Sequence, residues 1–202
     1  MESAAAERFP LESPKRLGIM RRERIPEDEW QYGERSSVFI RGTLLSLTLE
    51  FVRAARMRPE VRRIALLGSL VTEKSRPKDV DLLVTVDRDA DLVGLARLGR
   101  RLQGKAQQIN STADVFLCDA DFRYLGRICH FRECFPRGRC LARHCGARPG
   151  LADDLDAIRL PSAVLKAPPL VLYPASTAFR AVPADVIDLL VKPLQATNAP
   201  TD

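Results

Sequence analysis

The stretch "LLGSLVTEKSRPKDVDLLVTV", Leu66 to Val86, constrains the fold more than any other part of the chain. An aliphatic run stops at Gly68-Ser69, and ten residues after Ser69 an Asp-Val-Asp opens a second aliphatic and β-branched run. Short apolar runs bounded by turn residues read as buried strands. The first is expected over about 63–67 and the second over 80–86. Side chains alternate along a strand, so Asp79 and Asp81 face the same way, about 7 Å apart. Two like charges at the mouth of a buried strand repel each other, and burial adds to the cost unless something positive joins them. "STADVFLCD" (111–119) reads as a third strand with Asp114 in its first half. Neighbouring strands lie about 4.8 Å apart, so three carboxylates can meet at one edge of a sheet.

The flanking sequence supplies helices. Ile40, Leu44, Leu47, Phe51 and Ala54 recur at three- and four-residue steps, which predicts a helix from Ser36 that Pro59 stops. "DADLVGLARLGRRLQGKAQQ" (89–108) is amphipathic, acidic at its start and basic towards its end, as the helix dipole favours. Strands alternating with helices imply an α/β (α+β) fold, a mixed sheet flanked by helices. Residues 1–35 contain Pro10, Pro14 and Pro26 and show no apolar period, which reads as a loosely ordered lead anchored by Trp30. Residues 36–120 form the main domain and 121–150 a small Cys/His-rich lobe. In 151–176, "DDLDAIRL" and "PPLVLYP" read as short strands, and 177–202 reads as a tail with one short helix at "PADVIDLLV".

No apolar run approaches the roughly 18–20 residues that cross a bilayer, and charges stand where a signal peptide needs its apolar stretch. The expectation is a cytoplasmic protein without a membrane partner. In that setting its five cysteines are thiols or ligands rather than disulfides, with Cys118 buried at the end of its strand. The net charge of +6 admits anionic partners without selecting one.

A cluster of Asp79, Asp81 and Asp114 suits a hard divalent cation, Mg2+ or Mn2+, which in turn recruits phosphate oxygens. The Gly68-Ser69 turn can offer backbone amides and a hydroxyl to phosphates, and Lys74, Arg76 and Lys78 bring positive charge into the connecting loop. A strand ending in Gly-Ser, a spacer, Asp-x-Asp opening a strand and a lone Asp on a later strand resembles the nucleotidyltransferases of the DNA polymerase beta superfamily. The likeness is nearest to their minimal branch and covers roughly residues 37–120. It implies that Gly68 and Ser69 bind the nucleotide's phosphates and that Asp79 and Asp81 are metal ligands. Asp114 would be the third carboxylate, both ligand and base for the attacking hydroxyl. Lys78 stands where many members have a serine, beside the metal site, and is placed with the nucleotide-binding residues. The implied activity is transfer of a nucleoside monophosphate from a triphosphate to a hydroxyl acceptor. One alternative is an antitoxin-like regulator that keeps the fold and binds a partner protein. The other is a zinc-dependent nucleic-acid-binding module.

"CHFRECFPRGRCLARHC" (129–145) holds four of the five cysteines and both histidines, His130 and His144. Zinc takes four such ligands in a tetrahedron. Cys129, Cys134, Cys140 and Cys145 are candidates, with His144 able to replace one of them; buried or free thiols are the competing reading. From Arg123 to Arg148 seven arginines face one acid, Glu133, with Phe131 and Phe135 interleaved. Arginines suit phosphates and aromatics suit unstacked bases, so nucleic acid is a candidate partner for 123–148.

Overall fold

Val80, Leu82, Val84 and Val86 alternate along one strand, Asp79–Val86 (β2), and all four are completely buried. Such a strand belongs at the centre of a sheet with helices against one face. The computed structural model describes residues 27–130, 151–152, 167–174 and 181–196, with side chains described for 38–130, 167–174 and 181–196. Helix α1 (Glu27–Ala55) leads into β1 (Val61–Leu67), a single 3-10 turn (Gly68–Val71) and β2. Helix α2 (Val93–Gln107), β3 (Thr112–Cys118), β4 (Tyr124–Ile128), β5 (Leu151–Ala152) and β6 (Leu170–Tyr173) follow. The described chain closes on a helical run: α3 (Ala184–Val186), a π-helical turn (Ile187–Val191) and α4 (Lys192–Ala196).

The six strands are ordered β5-β4-β3-β2-β1-β6. Among the described strands only β2 and β3 run parallel, and α2 supplies the crossover that parallel neighbours need. The fold is thus a mixed α/β sheet flanked by helices. Its main core joins Val80, Leu82, Val84 and Val86 to Leu44, Leu45, Phe51 and Val52 of α1 and to Leu95 and Leu102 of α2. Among the described residues no helix is long and apolar enough to cross a membrane.

Four sequence expectations need correction. Helix α1 begins at Glu27, nine residues before Ser36; the chain from Glu27 to Arg35 contains no proline to interrupt a helix. Helix α2 begins at Val93, where the Asp91 carboxylate accepts its amide (2.9 Å). Residues 124–128, assigned to the Cys/His lobe, are a strand of the main sheet, paired to β3 with Phe116 opposite Arg127 and Leu117 opposite Gly126. The supposed tail carries Val186, Leu190 and Leu194 at four-residue steps, and all three pack into the core. Its π turn precedes Pro193, which has no N–H to continue the α-helical pattern. The strand expected in "PPLVLYP" is β6, whereas "DDLDAIRL" (153–160) and residues 1–26 lie outside the described residues.

Leu82 sits fully buried at the middle of the central strand. Leu82→Ala is expected to lose about 3 kcal/mol of stability, read as a lower urea midpoint at unchanged slope. Met57→Ala, at a residue 76% exposed, is the control and should stay within about 0.5 kcal/mol.

Candidate active site

The face of β2 turned away from the aliphatic core carries Asp79, Asp81, Leu83 and Thr85, the other set in the strand's two-residue alternation. Register then chooses their neighbours. Asp81 lies opposite Leu67 of β1 on one side and opposite Asp114 of β3 on the other. Paired residues on adjacent strands share a face, so Asp81 and Asp114 stand side by side, with Asp79 two residues along. The strand pairing therefore places the three aspartates on one face of the sheet, with Asp81 directly beside Asp114.

Gly68, directly after Leu67, has φ +70°, a conformation that costs glycine little and other residues more. The space beside it is taken: a Cβ at residue 68 would lie 2.1 Å from Oδ2 of Asp81. Its first structural use is to admit that carboxylate. Ser69 donates its hydroxyl to Asp79 Oδ1 (3.2 Å). The two residues expected to hold phosphates are thus both in contact with the carboxylates. Lys78 is exposed and its ammonium forms no ion pair among the described residues, while its carbonyl accepts the amide of Thr112 (3.0 Å) and so helps align β2 with β3.

Asp81 is 6% exposed, and among the described residues its carboxylate is paired with no cation. Burial first, then the charges of Asp79 and Asp114, pushes its carboxyl up to about 7. Asp114 Oδ1 lies 2.8 Å from His130 Nε2. His130 was grouped by sequence with the Cys/His run, and its contact with Asp114 spans sixteen residues. Only a β3–β4 hairpin brings the two together, so reading "YLGRI" as a strand was the signal that could have found it.

The remaining expectations divide. Cys129 is fully buried, with its sulfur 3.1 Å from Arg100 Nη2 and its carbonyl 3.1 Å from Arg100 Nε. Cys134, Cys140, His144 and Cys145 lie outside the described residues. Arg127, counted with the basic segment, is buried in the sheet and donates to the Ile128 carbonyl (3.3 Å). Cys118 is buried as expected, 3.3 Å from the Thr85 hydroxyl, and burial pushes its thiol up.

Among the described residues no three His, Cys, Asp or Glu side chains are gathered into a ready-made metal centre. What the arrangement offers is hard oxygen donors on adjacent strands around a buried carboxyl, and such donors suit a divalent cation. Comparison of the chain with protein-family models, with curated proteins and with solved structures finds no match.

Two predictions follow from this geometry. Gly68→Ala should lower stability by about 1–3 kcal/mol, since it meets both an unfavourable φ and the Asp81 carboxylate. The same change on an Asp81→Ala background should cost clearly less, which a double-mutant cycle of unfolding free energies would show. The second concerns pH. Between about pH 4 and 7 folded Asp81 keeps a proton that the unfolded chain, near its ordinary 3.8, has lost. Stability should therefore fall as pH rises through that window, by at most about 4 kcal/mol, and level off above it. In EDTA, Asp81→Asn should remove this slope and melt higher than the parent at pH 8.

Proposed function

We propose that the protein is a metal-dependent nucleotidyltransferase, with a fold of the DNA polymerase beta superfamily type. The observation that carries this reading is Asp81, a buried carboxyl flanked by Asp79 and Asp114 and pressed against Gly68 at the Gly-Ser turn. A cation there offsets the burial, and then the like charges of Asp79 and Asp114, that raise Asp81, so the site's electrostatics favour a bound divalent ion.

In this reading Asp79, Asp81 and Asp114 hold Mg2+ or Mn2+. The ion would supply charge to the nucleotide's phosphate oxygens and to the leaving pyrophosphate. Ser69 and the backbone at Gly68 would hold the polyphosphate beside β2, and Lys78, exposed at the strand's entrance, would meet its charge from solvent. An acceptor hydroxyl oxygen attacks the α-phosphorus, the bond to the β-phosphate oxygen breaks and pyrophosphate leaves. Asp114 takes the hydroxyl proton, and His130 holds the Asp114 carboxylate in place. The exposed Arg123 and the arginine-rich sequence of 132–148 would favour a polyanionic acceptor such as nucleic acid. A structural zinc on the cysteines and His144 of 129–145 is a separate proposal that elemental analysis decides.

The test is incubation with each labelled nucleoside triphosphate plus Mg2+ or Mn2+. The parent is compared with an Asp79→Asn, Asp81→Asn double variant. Label should move to an acceptor with release of pyrophosphate, and the double variant should lose at least about 100-fold in rate. If no label moves and calorimetry finds no triphosphate binding, the enzyme reading fails. Capture of a partner protein would then favour the antitoxin-like regulator. Salt-dependent nucleic-acid binding that survives both substitutions would favour the binding module.

A further inference from the structure

We propose that Arg41, held by Asp185, is a positioning residue that fixes the Gly68-Ser69 turn against the carboxylates of β2; the proposal rests on the polyphosphate reading above. Arg41 belongs to α1 and is 8% exposed, an unusual place for a guanidinium unless its donors are used. They are used on three separate segments. Nε and Nη2 form a two-pronged pair with the carboxylate of Asp185 in α3. Nη2 also donates to the carbonyl of Leu70 (3.1 Å), and Nη1 to the carbonyl of Lys74 (3.0 Å).

Those carbonyls bracket the loop that begins at the Gly-Ser turn. Between them Thr72 ties the loop to itself: its hydroxyl donates to the Ser69 carbonyl (2.7 Å) and accepts the Lys74 amide (3.3 Å). At the other end Ser69 donates to Asp79. One continuous set of hydrogen bonds therefore runs from Asp185 through Arg41, the loop backbone and Ser69 to Asp79. Asp185 is itself aimed, since its Oδ1 accepts the Val186 amide at the start of α3 (2.9 Å). The planar fork suits this job because it serves a carboxylate along one edge and two carbonyls with its remaining N–H groups, which an ammonium cannot do.

The experiment uses the full chain and three measurements on the parent, Arg41→Lys and Asp185→Asn. Hydrogen exchange should show amides of residues 70–75 opening at least about tenfold faster in Arg41→Lys, with β2 amides still protected. Calorimetry with ATP, GTP, CTP and UTP in Mg2+ should show affinity weakened about tenfold in Arg41→Lys and about threefold in Asp185→Asn. Mn2+ alone, which needs only the aspartates, should bind both variants within about twofold of the parent. Unchanged loop exchange, or unchanged triphosphate affinity where the parent binds, overturns the proposal alone. Equal losses for Mn2+ and triphosphate overturn it in favour of a general structural role. A parent that binds no triphosphate overturns it together with the polyphosphate reading. Should Arg41→Lys fail to fold, Asp185→Asn decides by the same comparisons.

Discussion

The carboxylate of Asp81 occupies the space that any side chain at residue 68 would need. That one contact ties the end of β1 to the start of β2 at a fixed register, with Leu67 opposite Asp81. A slip of one residue would turn Val80, Leu82, Val84 and Val86 to the wrong face and send the aspartates into the apolar core. The aliphatic face and the acidic face are therefore set by the same alternation. The parallel pairing of β2 with β3 extends it, since the register that puts Leu82 beside Val115 and Val84 beside Leu117 also puts Asp81 beside Asp114.

This arrangement works against the stability of the fold. A carboxyl buried to 6% exposure with two like-charged neighbours gives up free energy whenever it ionises. A fold under no demand beyond stability would place an apolar residue at 81, as it does at 80 and 82. Local rules broken at one point, with every neighbouring level consistent, mark a functional site more often than a defect. The rigid surroundings, strands on both sides and a completed core beneath, are what hold such a carboxyl in place.

The sequence made the core of the fold and half of the site legible. Alternation in "VDLLVTV" and "STADVFLCD" located β2 and β3, and helical spacing located the C-terminal half of α1 and most of α2. The three aspartates, Gly68 and Ser69 stand out by their spacing; in the structure Asp81 pairs with Asp114 across β2 and β3 and lies against Gly68, and Asp79 accepts from Ser69. What could not be read depended on pairings distant in sequence. His130 meets Asp114 only because β4 folds back on β3, and the cysteines around it drew the eye to metal binding instead. Gly68 was assigned to a phosphate, whereas its nearest claim comes from Asp81, which no spacing rule expresses. Val186, Leu190 and Leu194 do have helical spacing, but a short run near the end of a chain gives no sign that a core awaits it.

The spacer between Gly68 and Asp79 is rich in charge, and the hydrogen bonds show that its charges do not set its path. Arg41 holds this loop by the carbonyls of Leu70 and Lys74, and Thr72 closes on the carbonyl of Ser69. Carbonyls are the same whatever the residue, so the loop's path is set by backbone groups and by Arg41, Thr72 and Asp185 rather than by its own charged side chains. Glu73, Lys74, Ser75, Arg76 and Lys78 are all exposed. They are free to differ in charge and size while the turn ahead of them stays where Asp79 and Asp81 require it. Residues constrained in this way are scattered over α1, the loop and α3. A motif drawn only from the stretch between Gly68 and Asp81 leaves out the side chains that hold it in place.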